Sequence, residues 1–418
     1  MEICEYNSCT GCAACAAVCP QHCIIMKEDD FGELHPVIQK EKCIGCSLCF
    51  KVCHNHHEFC YDYPKKCYAA WMKNKEKRCR CASGGAASIV SEYFIKYKKG
   101  IVFGTAYDEK LMPYTTCTHT VEGLEKFKGS KYVQSMITDA AWKKMKEYIK
   151  KGRYVLYIGT PCQIAAAKAY MKKDYDNFYT MDLICHGAVP VKYFREEIRY
   201  LINKYRLSDI IDVRFRGNDN NNFKMSLWDN NYVMSMWSRI RGGVKAIRVY
   251  RGSNTRDYYL SGFLMGITLR ESCYSCRYAR PDRISDITVG DFIGLGEQEP
   301  FIYRENNVSV VMVNSKKGED LYADIIEKMP DYENILRNYE ERLNYGPSLK
   351  YPFPRSPLNS VFRDHYLKYG FVKAIRVTLR KEMRKRKIRN IFSIGTYIYR
   401  VPRKIYRILA ARLIKNNV

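Results

Sequence analysis

The sequence predicts three parts in succession: a small α+β module, a larger α/β region and a basic helical tail. Ten of the 19 cysteines lie before residue 54, in short regular spacings. From residue 153 onward, short apolar runs typical of buried strands alternate with helical segments. The formal charge is +26, and from Lys373 to the end 15 Lys and Arg accompany a single acid, Glu382. These three observations predict the fold class.

Length and composition restrict the class of protein. A chain of 418 residues is long enough for about two or three domains, and 46% hydrophobic residues permit a large buried core. We find neither a run of 18 apolar residues nor a basic start followed by an apolar stretch, and we therefore expect a cytoplasmic protein. Cysteines stay reduced in that compartment, so their regular spacing predicts metal binding rather than disulfides.

Two repeated cysteine motifs define the amino-terminal module. They are Cys9-x2-Cys12-x2-Cys15-x3-Cys19 and Cys43-x2-Cys46-x2-Cys49-x3-Cys53. In this pattern three closely spaced thiolates hold one 4Fe–4S cluster and the fourth reaches the other cluster. Cluster one is predicted to take Cys9, Cys12, Cys15 and Cys53, and cluster two Cys43, Cys46, Cys49 and Cys19. The alternative is a pair of zinc sites, which usually take two Cys-x2-Cys pairs rather than runs of four.

A turn after this module suits a phosphate group. Ser83-Gly84-Gly85 precedes a helical stretch that runs to about Lys98. Free backbone amides and the positive end of the helix dipole attract an anion at such a position. An ordinary capped helix is the alternative interpretation.

The α/β region places chemical groups after its strands. A strand at 154–158 is followed by Gly159-Thr160-Pro161 and a helix, and a second strand at 178–184 leads to Cys185-His186-Gly187. A third strand, at 284–291, ends in Asp291. Ligands of open α/β sheets bind beyond the carboxyl ends of the strands, so we expect a cofactor there.

Four further cysteines match the number of ligands that one more cubane needs. They are Cys162, Cys185, Cys273 and Cys276. Our hypothesis is that they converge on a third 4Fe–4S cluster. A zinc half-site or a redox dithiol at Cys273 and Cys276 is the competing interpretation, and buried structural thiols are the simplest one for the other two.

Several segments occur in the order of one known family. They are Ser83-Gly84-Gly85, Gly159-Thr160-Pro161-Cys162-Gln163, Cys185-His186-Gly187, Arg270 to Gly294 with its Ser-Cys-Tyr-x-Cys and Asp-Ile-Thr-Val-Gly-Asp runs, and Val308 to Gly318. Together with the ferredoxin-like module, they resemble the coenzyme F420 hydrogenase/dehydrogenase beta-subunit family over residues 1–320. The resemblance implies an iron–sulfur flavoprotein that binds FAD and passes electrons between clusters and a flavin-reactive partner.

The full fold-class prediction is therefore an α+β ferredoxin-like two-cluster module, an α/β flavin-binding region and a basic helical C-terminal tail. The predicted cofactor-binding residues are Ser83, Gly84, Gly85, Gly159, Thr160 and Asp291. His186 is the candidate acid, because an imidazole titrates near neutral pH; a hydrogen bond to its surroundings is the plainer interpretation. For Arg277, Arg280 and Arg283, binding of flavin phosphates or of an anionic substrate competes with a solvated basic edge.

Two departures from the family pattern limit what the resemblance implies. Ala82 stands where the family usually has a serine, and Ile293-Gly294 where it has Trp-Gly. The use of coenzyme F420 is therefore not inherited. The expected partners are a redox protein or ferredoxin-like donor and a small-molecule substrate. A non-catalytic electron carrier without flavin and a zinc-stabilised interaction protein are the alternative functions.

The expected domains are residues 1–60 (clusters), 61–145 (the family's N-terminal region), 146–320 (its C-terminal α/β region), 321–372 (a helical or irregular extension) and 373–418 (the tail). Two apolar stripes lie on the basic tail. They are Ile375, Leu379 and Met383, and Ile405, Leu409 and Leu413. Such helices favour anionic membranes, which predicts peripheral attachment at the inner membrane surface. Packing on the body is the alternative; nucleic acid is not expected, since no nucleic-acid motif accompanies the charge.

Overall fold

The chain folds around one large mixed sheet. The structure is a computed structural model that describes residues 2–207, 210–217, 224–229, 247–253, 257–302 and 307–415. Its strands are β1 (Ile24–Glu28), β2 (Leu34–Ile38), β3 (Lys66–Met72), β4 (Ile101–Tyr107), β5 (Pro113–Thr118), β6 (Val155–Gly159), β7 (Phe178–Leu183), β8 (Ile210–Arg214), β9 (Lys224–Asp229), β10 (Ile247–Ser253), β11 (Ile287–Asp291), β12 (Ser309–Val313) and β13 (Tyr332–Arg337). Its helices are α1 (Ala14–Val18), α2 (Leu48–Val52), α3 (Lys75–Cys79), α4 (Ala86–Lys96), α5 (Asp139–Lys150), α6 (Pro161–Met171), α7 (Val191–Tyr205), α8 (Tyr258–Leu264), α9 (Glu271–Tyr274), α10 (Lys316–Lys328), α11 (Tyr339–Asn344) and α12 (Leu358–Lys415).

The large sheet has the strand order β13-β3-β12-β11-β7-β6-β4-β5. The four strands β11, β7, β6 and β4 run parallel, and the outer strands join antiparallel. The carboxyl ends of these four parallel strands therefore lie at one edge of the sheet. This confirms the predicted α/β organisation and places the ends of β6, β7 and β11 side by side.

Alternating side chains of the central strands build a core on each face of the sheet. Val102 and Leu156 pack with α4 and α10 on one face. Phe103 and Tyr157 pack with α5 and α6 on the other face. Strand residues with both neighbours covered in this way are apolar along their whole length, as the fully buried β12 shows.

The amino-terminal module docks directly on this second face. Its helix α1 packs against α5 and α6, and its alanines share their core with Trp142. The indole Nε1–H of Trp142 donates to the carbonyl oxygen of Cys12 at 3.1 Å, and Gln134 Nε2 donates to the carbonyl oxygen of Thr10 at 3.1 Å. The first cysteine loop is therefore fixed to the α/β region by packing and by hydrogen bonds.

The carboxyl-terminal helix α12 belongs partly to the body of the protein. Gly370 interrupts it with φ 70° and ψ 175°. Beyond this break, Phe371, Ile375 and Leu379 are fully buried against α7 and α8, and Met383 is buried beside them. The first apolar stripe thus packs on the body, which corrects the prediction that it faces a membrane. The side chains of Ile405, Leu409 and Leu413 lie outside the described part of the structure.

The sheet also runs across the domain boundaries expected from the sequence. It takes strands from β3 to β13 and so passes the boundaries expected at 145/146 and 320/321. Within the segment 321–372, interpreted as helical or irregular, β13 pairs with β3 along six residues. Among the described residues, no helix has both the length and the apolar composition that a bilayer crossing requires.

Candidate functional site

The predicted ligands of cluster one surround a single cavity. This cluster-one cavity has a volume of about 330 Å³. Its thiol lining consists of Cys9, Cys12, Cys15 and Cys53, with Cys4 in addition. The three cysteines of the first motif thus meet the last cysteine of the second, which is the crossed arrangement predicted from the spacing.

The second motif forms a corresponding cluster-two cavity of about 370 Å³. Its thiol lining consists of Cys43, Cys46, Cys49 and Cys19, with Cys23 in addition. Cys43 and Cys46 are exposed, whereas Cys9, Cys15 and Cys53 of the other cavity are buried. The two sites therefore differ in position, one at the surface and one facing the α/β region.

Both cysteine loops adopt the same unusual backbone. Ala13 and Ser47 occupy equivalent positions and have φ values of 60° and 58°, in the left-handed region that residues with a Cβ rarely adopt. The repetition of this conformation in two separate loops shows that it follows from the wrapping of each loop around its cavity. Such strained positions concentrate at ligand sites.

The donor set suits clusters better than single ions. Within the described residues, no three Cys, His, Asp or Glu side chains lie close enough together to hold one metal ion. A zinc site would need thiolates about 2.3 Å from one centre. Four thiols spread around a cavity of several hundred Å³ fit the larger 4Fe–4S unit, in which each thiolate binds a different iron.

A large cleft of about 1850 Å³ opens at the carboxyl edge of the parallel strands. Its lining includes five of the six predicted cofactor-binding residues: Ser83, Gly85, Gly159, Thr160 and Asp291. Gly84 contributes from behind: a Cβ there would lie 2.2 Å from the carbonyl oxygen of Ala70. Only a glycine lets the turn approach β3 so closely, and this close approach positions the residues on either side of it at the cleft.

Two helices begin at this cleft. Helix α4 starts after Gly85, whose φ of 94° turns the chain into the helix, and α6 starts after Thr160. The Thr160 amide donates to Gln163 Oε1 at 3.0 Å, which completes the turn. The first amides of a helix and its dipole together favour a bound anion such as phosphate.

Basic side chains complement these helix ends. Lys128, Lys131 and Arg216 line the cleft. Burial lowers the pKa of Lys131 to about 8, because desolvation penalises its ammonium form. Arg216 donates to both carboxylate oxygens of Asp291, at 2.6 and 3.1 Å. Asp291 is therefore paired with a cation at the end of β11, and the lysines carry the positive charge nearest to the phosphate-binding turns.

The four additional cysteines do converge. Cys162, Cys273 and Cys276 line the cleft, and Cys185 lies behind them. Burial raises the pKa of the Cys185 thiol, and the neighbouring Cys273, Cys162 and Cys276 raise it further. Burial, followed by these mutual interactions, also raises the pKa of Cys273 to about 12 and that of Cys276 to about 11. Four thiols that each suppress the ionisation of the others need a metal centre to become thiolates together.

Arg270 supplies a buried positive charge beside this four-thiol site. Its side chain is 2% exposed and lines the cleft. It donates to Gln134 Oε1 at 2.5 Å and to the carbonyl oxygen of Cys9 at 3.0 Å, while its Nε has no partner among the described residues. A cation only partly compensated by Glu33, at 3.7 Å, fits an anionic thiolate-ligated cluster next to it.

The structure gives His186 a different setting from the one expected. Its Nε2 lies 3.1 Å from the carbonyl oxygen of Phe263, and its ring centroid lies 4.0 Å from that of Phe353. It does not line the cleft. Burial lowers the pKa of the imidazole, which keeps it neutral. The geometry supports the plainer interpretation, and a catalytic role for His186 stays a prediction.

The three arginines expected to hold phosphates contact protein groups. Arg283 pairs with the buried Asp182 at 2.9 Å, and Arg280 pairs with Asp282. Arg277 donates to the carbonyl oxygen of Asn55. These arginines therefore join the cysteine loops and strands of the structure, and the cations that line the cleft are others.

The sequence interpretation missed the contributions of Lys128, Lys131, Gln134 and Arg216. The run Lys128-Gly129-Ser130-Lys131 carries a usable signal, because two lysines flank a Gly-Ser turn. Gln134 gives no such signal, since its role arises from contacts with Thr10 and Arg270 far away in the chain.

Comparison with known proteins identifies the family. Residues 8–56 match the 4Fe–4S dicluster domain, and residues 152–332 match the C terminus of the beta subunit in the coenzyme F420 hydrogenase/dehydrogenase family. No curated protein matches the chain. Among solved structures, it is similar to a chain of the xenon-derivatised F420-reducing NiFe hydrogenase complex from Methanosarcina barkeri. The two are 17% identical with a TM-score of 0.42, over 77% of this chain and 93% of that chain. Through these two matched regions, the chain belongs to the coenzyme F420 hydrogenase/dehydrogenase beta-subunit family and is an iron–sulfur protein of redox electron transfer.

Proposed function

We propose that this protein is an iron–sulfur flavoprotein oxidoreductase, which passes electrons between 4Fe–4S clusters and a two-electron small-molecule substrate through FAD. The observation that carries the proposal is a shared wall. Thr10 and Cys12 line both the cluster-one cavity and the large cleft. A cofactor in the cleft would therefore lie against the loop that carries a cluster ligand, with the four-thiol site on the same wall.

The cleft suits the phosphates of a dinucleotide. The turn before α4 and the turn before α6 offer amides, and Lys128 and Lys131 offer charge, all in one cavity. Its volume of about 1850 Å³ exceeds the roughly 300–1000 Å³ of an ordinary small-molecule pocket, so it has room for FAD together with a substrate. When bound, a flavin would supply the exchange between one-electron and two-electron transfer.

The three thiol-lined sites differ in exposure in the order that a relay needs. Cluster two has the exposed cysteines Cys43 and Cys46, whereas the cysteines of cluster one are largely buried beside the α/β region. The four-thiol site lies at the cleft itself. We therefore propose that a redox protein, such as a ferredoxin-like donor, exchanges electrons at cluster two, and that the substrate reacts at the cleft.

The substrate is proposed only as a class. The family's name refers to coenzyme F420, but this chain has Ala82 and Ile293 at two positions that differ from the family pattern. Ala82 lines the cleft, and Ile293 follows Asp291 with 53% of its side chain exposed. Both positions can alter what enters the cleft, so a two-electron acceptor or donor is as far as the proposal goes.

Anaerobic purification followed by metal, sulfide and flavin analysis tests the proposal. We expect about 12 irons per chain for three cubanes, with one FAD. Lys131→Glu should lower the flavin content and leave the iron unchanged, because it reverses a charge in the cleft. Clusters without flavin would instead support an electron carrier. Colourless protein with zinc and no iron would support an interaction protein.

A further inference from the structure

Each of the two ferredoxin-like cavities has one thiol more than a cubane needs. Cys4 is the fifth cysteine of the cluster-one cavity and Cys23 is the fifth of the cluster-two cavity. Neither belongs to the spacing that defines the eight predicted ligands. Cys4 precedes the first motif by five residues and Cys23 follows its last cysteine by four.

The extra thiol of cluster two lies next to one ligand in particular. Cys23 Sγ is 3.4 Å from Cys19 Sγ, and its side chain is only 2% exposed. Cys19 is the fourth cysteine of the first motif, the one that crosses to the other motif's cluster. The two sulfurs lie in the same cavity as Cys43, Cys46 and Cys49.

The extra thiol of cluster one occupies the corresponding position. Cys4 is in hydrogen-bonding contact with Cys53 and with Cys9. Cys53 is the fourth cysteine of the second motif, and it crosses to cluster one in the same way. Two thiols from unrelated points of the chain thus border the two crossing ligands, and this repetition indicates a function beyond filling space.

We propose that Cys23 and Cys4 are alternative cluster ligands, each able to replace the crossing cysteine beside it. This inference deepens the proposed function and rests on its clusters. In an exchange at cluster two, the iron–sulfur bond to Cys19 breaks and that bond is replaced by one to Cys23. The proton that the Cys23 thiol gives up is balanced by the proton that Cys19 takes, so no oxidant or reductant is needed. The cluster keeps four ligands throughout.

The test compares iron retention in variants of the full chain. Cys19→Ala should keep the irons of cluster two, with a changed electron paramagnetic resonance spectrum after dithionite reduction. Cys19→Ala/Cys23→Ala should lose one cluster, about four irons per chain. Cys46→Ala is the matched control, because none of the described residues places an extra thiol beside this exposed ligand, and it should lose cluster two. Cys53→Ala and Cys53→Ala/Cys4→Ala repeat the comparison at cluster one.

Two results would overturn the proposal. If Cys19→Ala loses its cluster while circular dichroism shows an intact fold, Cys23 does not substitute. If the double variant keeps the cluster as well as the single variant does, retention owes nothing to Cys23. The wild-type iron content and spectrum, measured alongside, test the clusters themselves, so failure of the proposed function would be visible separately.

Discussion

Arg270 donates a hydrogen bond of 3.0 Å to the carbonyl oxygen of Cys9, across 261 positions of sequence. The contact joins a predicted ligand of cluster one to the wall of the cleft. The same guanidinium lies near Cys162 and Cys273, and it lowers the pKa of both thiols against the raising effect of burial. One buried cation therefore faces two of the thiol-lined sites.

We predict that Arg270→Gln lowers the reduction potentials of cluster one and of the cluster at the four-thiol site. Reduction adds a negative charge, which the buried cation stabilises, so removal of the cation favours the oxidised form. At an effective dielectric constant of about 20, the loss should amount to tens of millivolts. Potentiometric titration followed by electron paramagnetic resonance measures the shift.

Arg195→Gln serves as the control, since Arg195 pairs at the surface with Glu28 of the same module and exposed pairs contribute little. The electrostatic account would be wrong if both variants shifted the potentials equally.

A second prediction concerns the four-thiol site. Cys276→Ser should reduce the iron content from about 12 to about 8 per chain, because a cubane loses one of its four ligands. Cys81→Ser is the matched control. Cys81 is buried and lines the same cleft, but it contacts Ser88 and the carbonyl oxygen of Lys77 instead of the other thiols. A wild-type content of about 8 irons would reject the third cluster.

Much of this site follows from local sequence, and the rest does not. The spacing of Cys9 to Cys53 is a short-range pattern, and the crossed arrangement follows from it. The convergence of Cys162 and Cys185 follows from parallel pairing of β6 with β7, since both thiols come after strands that end at one edge. The burial of the Ile375 stripe and the edge position of β13 depend on which surfaces the folded body leaves uncovered. Hydrophobic periodicity shows that a face is apolar, but it does not show what covers that face.

The third prediction is a pH dependence of flavin binding. With its pKa at about 8, Lys131 is charged below that pH and loses its proton as the pH rises through it. The affinity for FAD should therefore be highest below pH 8 and fall by about tenfold, or 1.4 kcal/mol, above it. Quenching of FAD fluorescence between pH 6.5 and 9.5 measures this change.

Variants at Lys131 separate this group from others that titrate. Lys131→Arg keeps the charge throughout the range and should bind FAD with a flat profile. Lys131→Gln should bind weakly at every pH. A profile unchanged in Lys131→Arg would assign the titration to another group.

The fourth prediction concerns the glycine turn at the cleft. In Gly84→Ala the new Cβ would lie 2.2 Å from the carbonyl oxygen of Ala70 and 2.7 Å from the amide nitrogen of Ser309. These are backbone atoms of two paired strands, so relief requires the sheet to move, at a cost of about 3 kcal/mol. Gly152→Ala is the control: φ is 74°, but no atom of the described residues lies within 4 Å, so the cost is about 1 kcal/mol. Thermal melting should rank Gly84→Ala well below Gly152→Ala, and equal melting temperatures would contradict the close approach.

The last prediction separates the two parts of the basic tail. Deletion of 371–418 removes Phe371, Ile375 and Leu379, which are fully buried, and should destabilise the body by several kcal/mol. Deletion of 387–418 leaves these side chains in place and should leave the melting temperature nearly unchanged. If the remaining basic segment attaches to anionic membranes, only the full chain should float with vesicles that contain anionic lipid, and added salt should weaken its binding. Equal flotation of the full chain and of the 387–418 deletion would remove the tail from any role at a membrane, and the intact fold of the shorter deletion makes that comparison decisive.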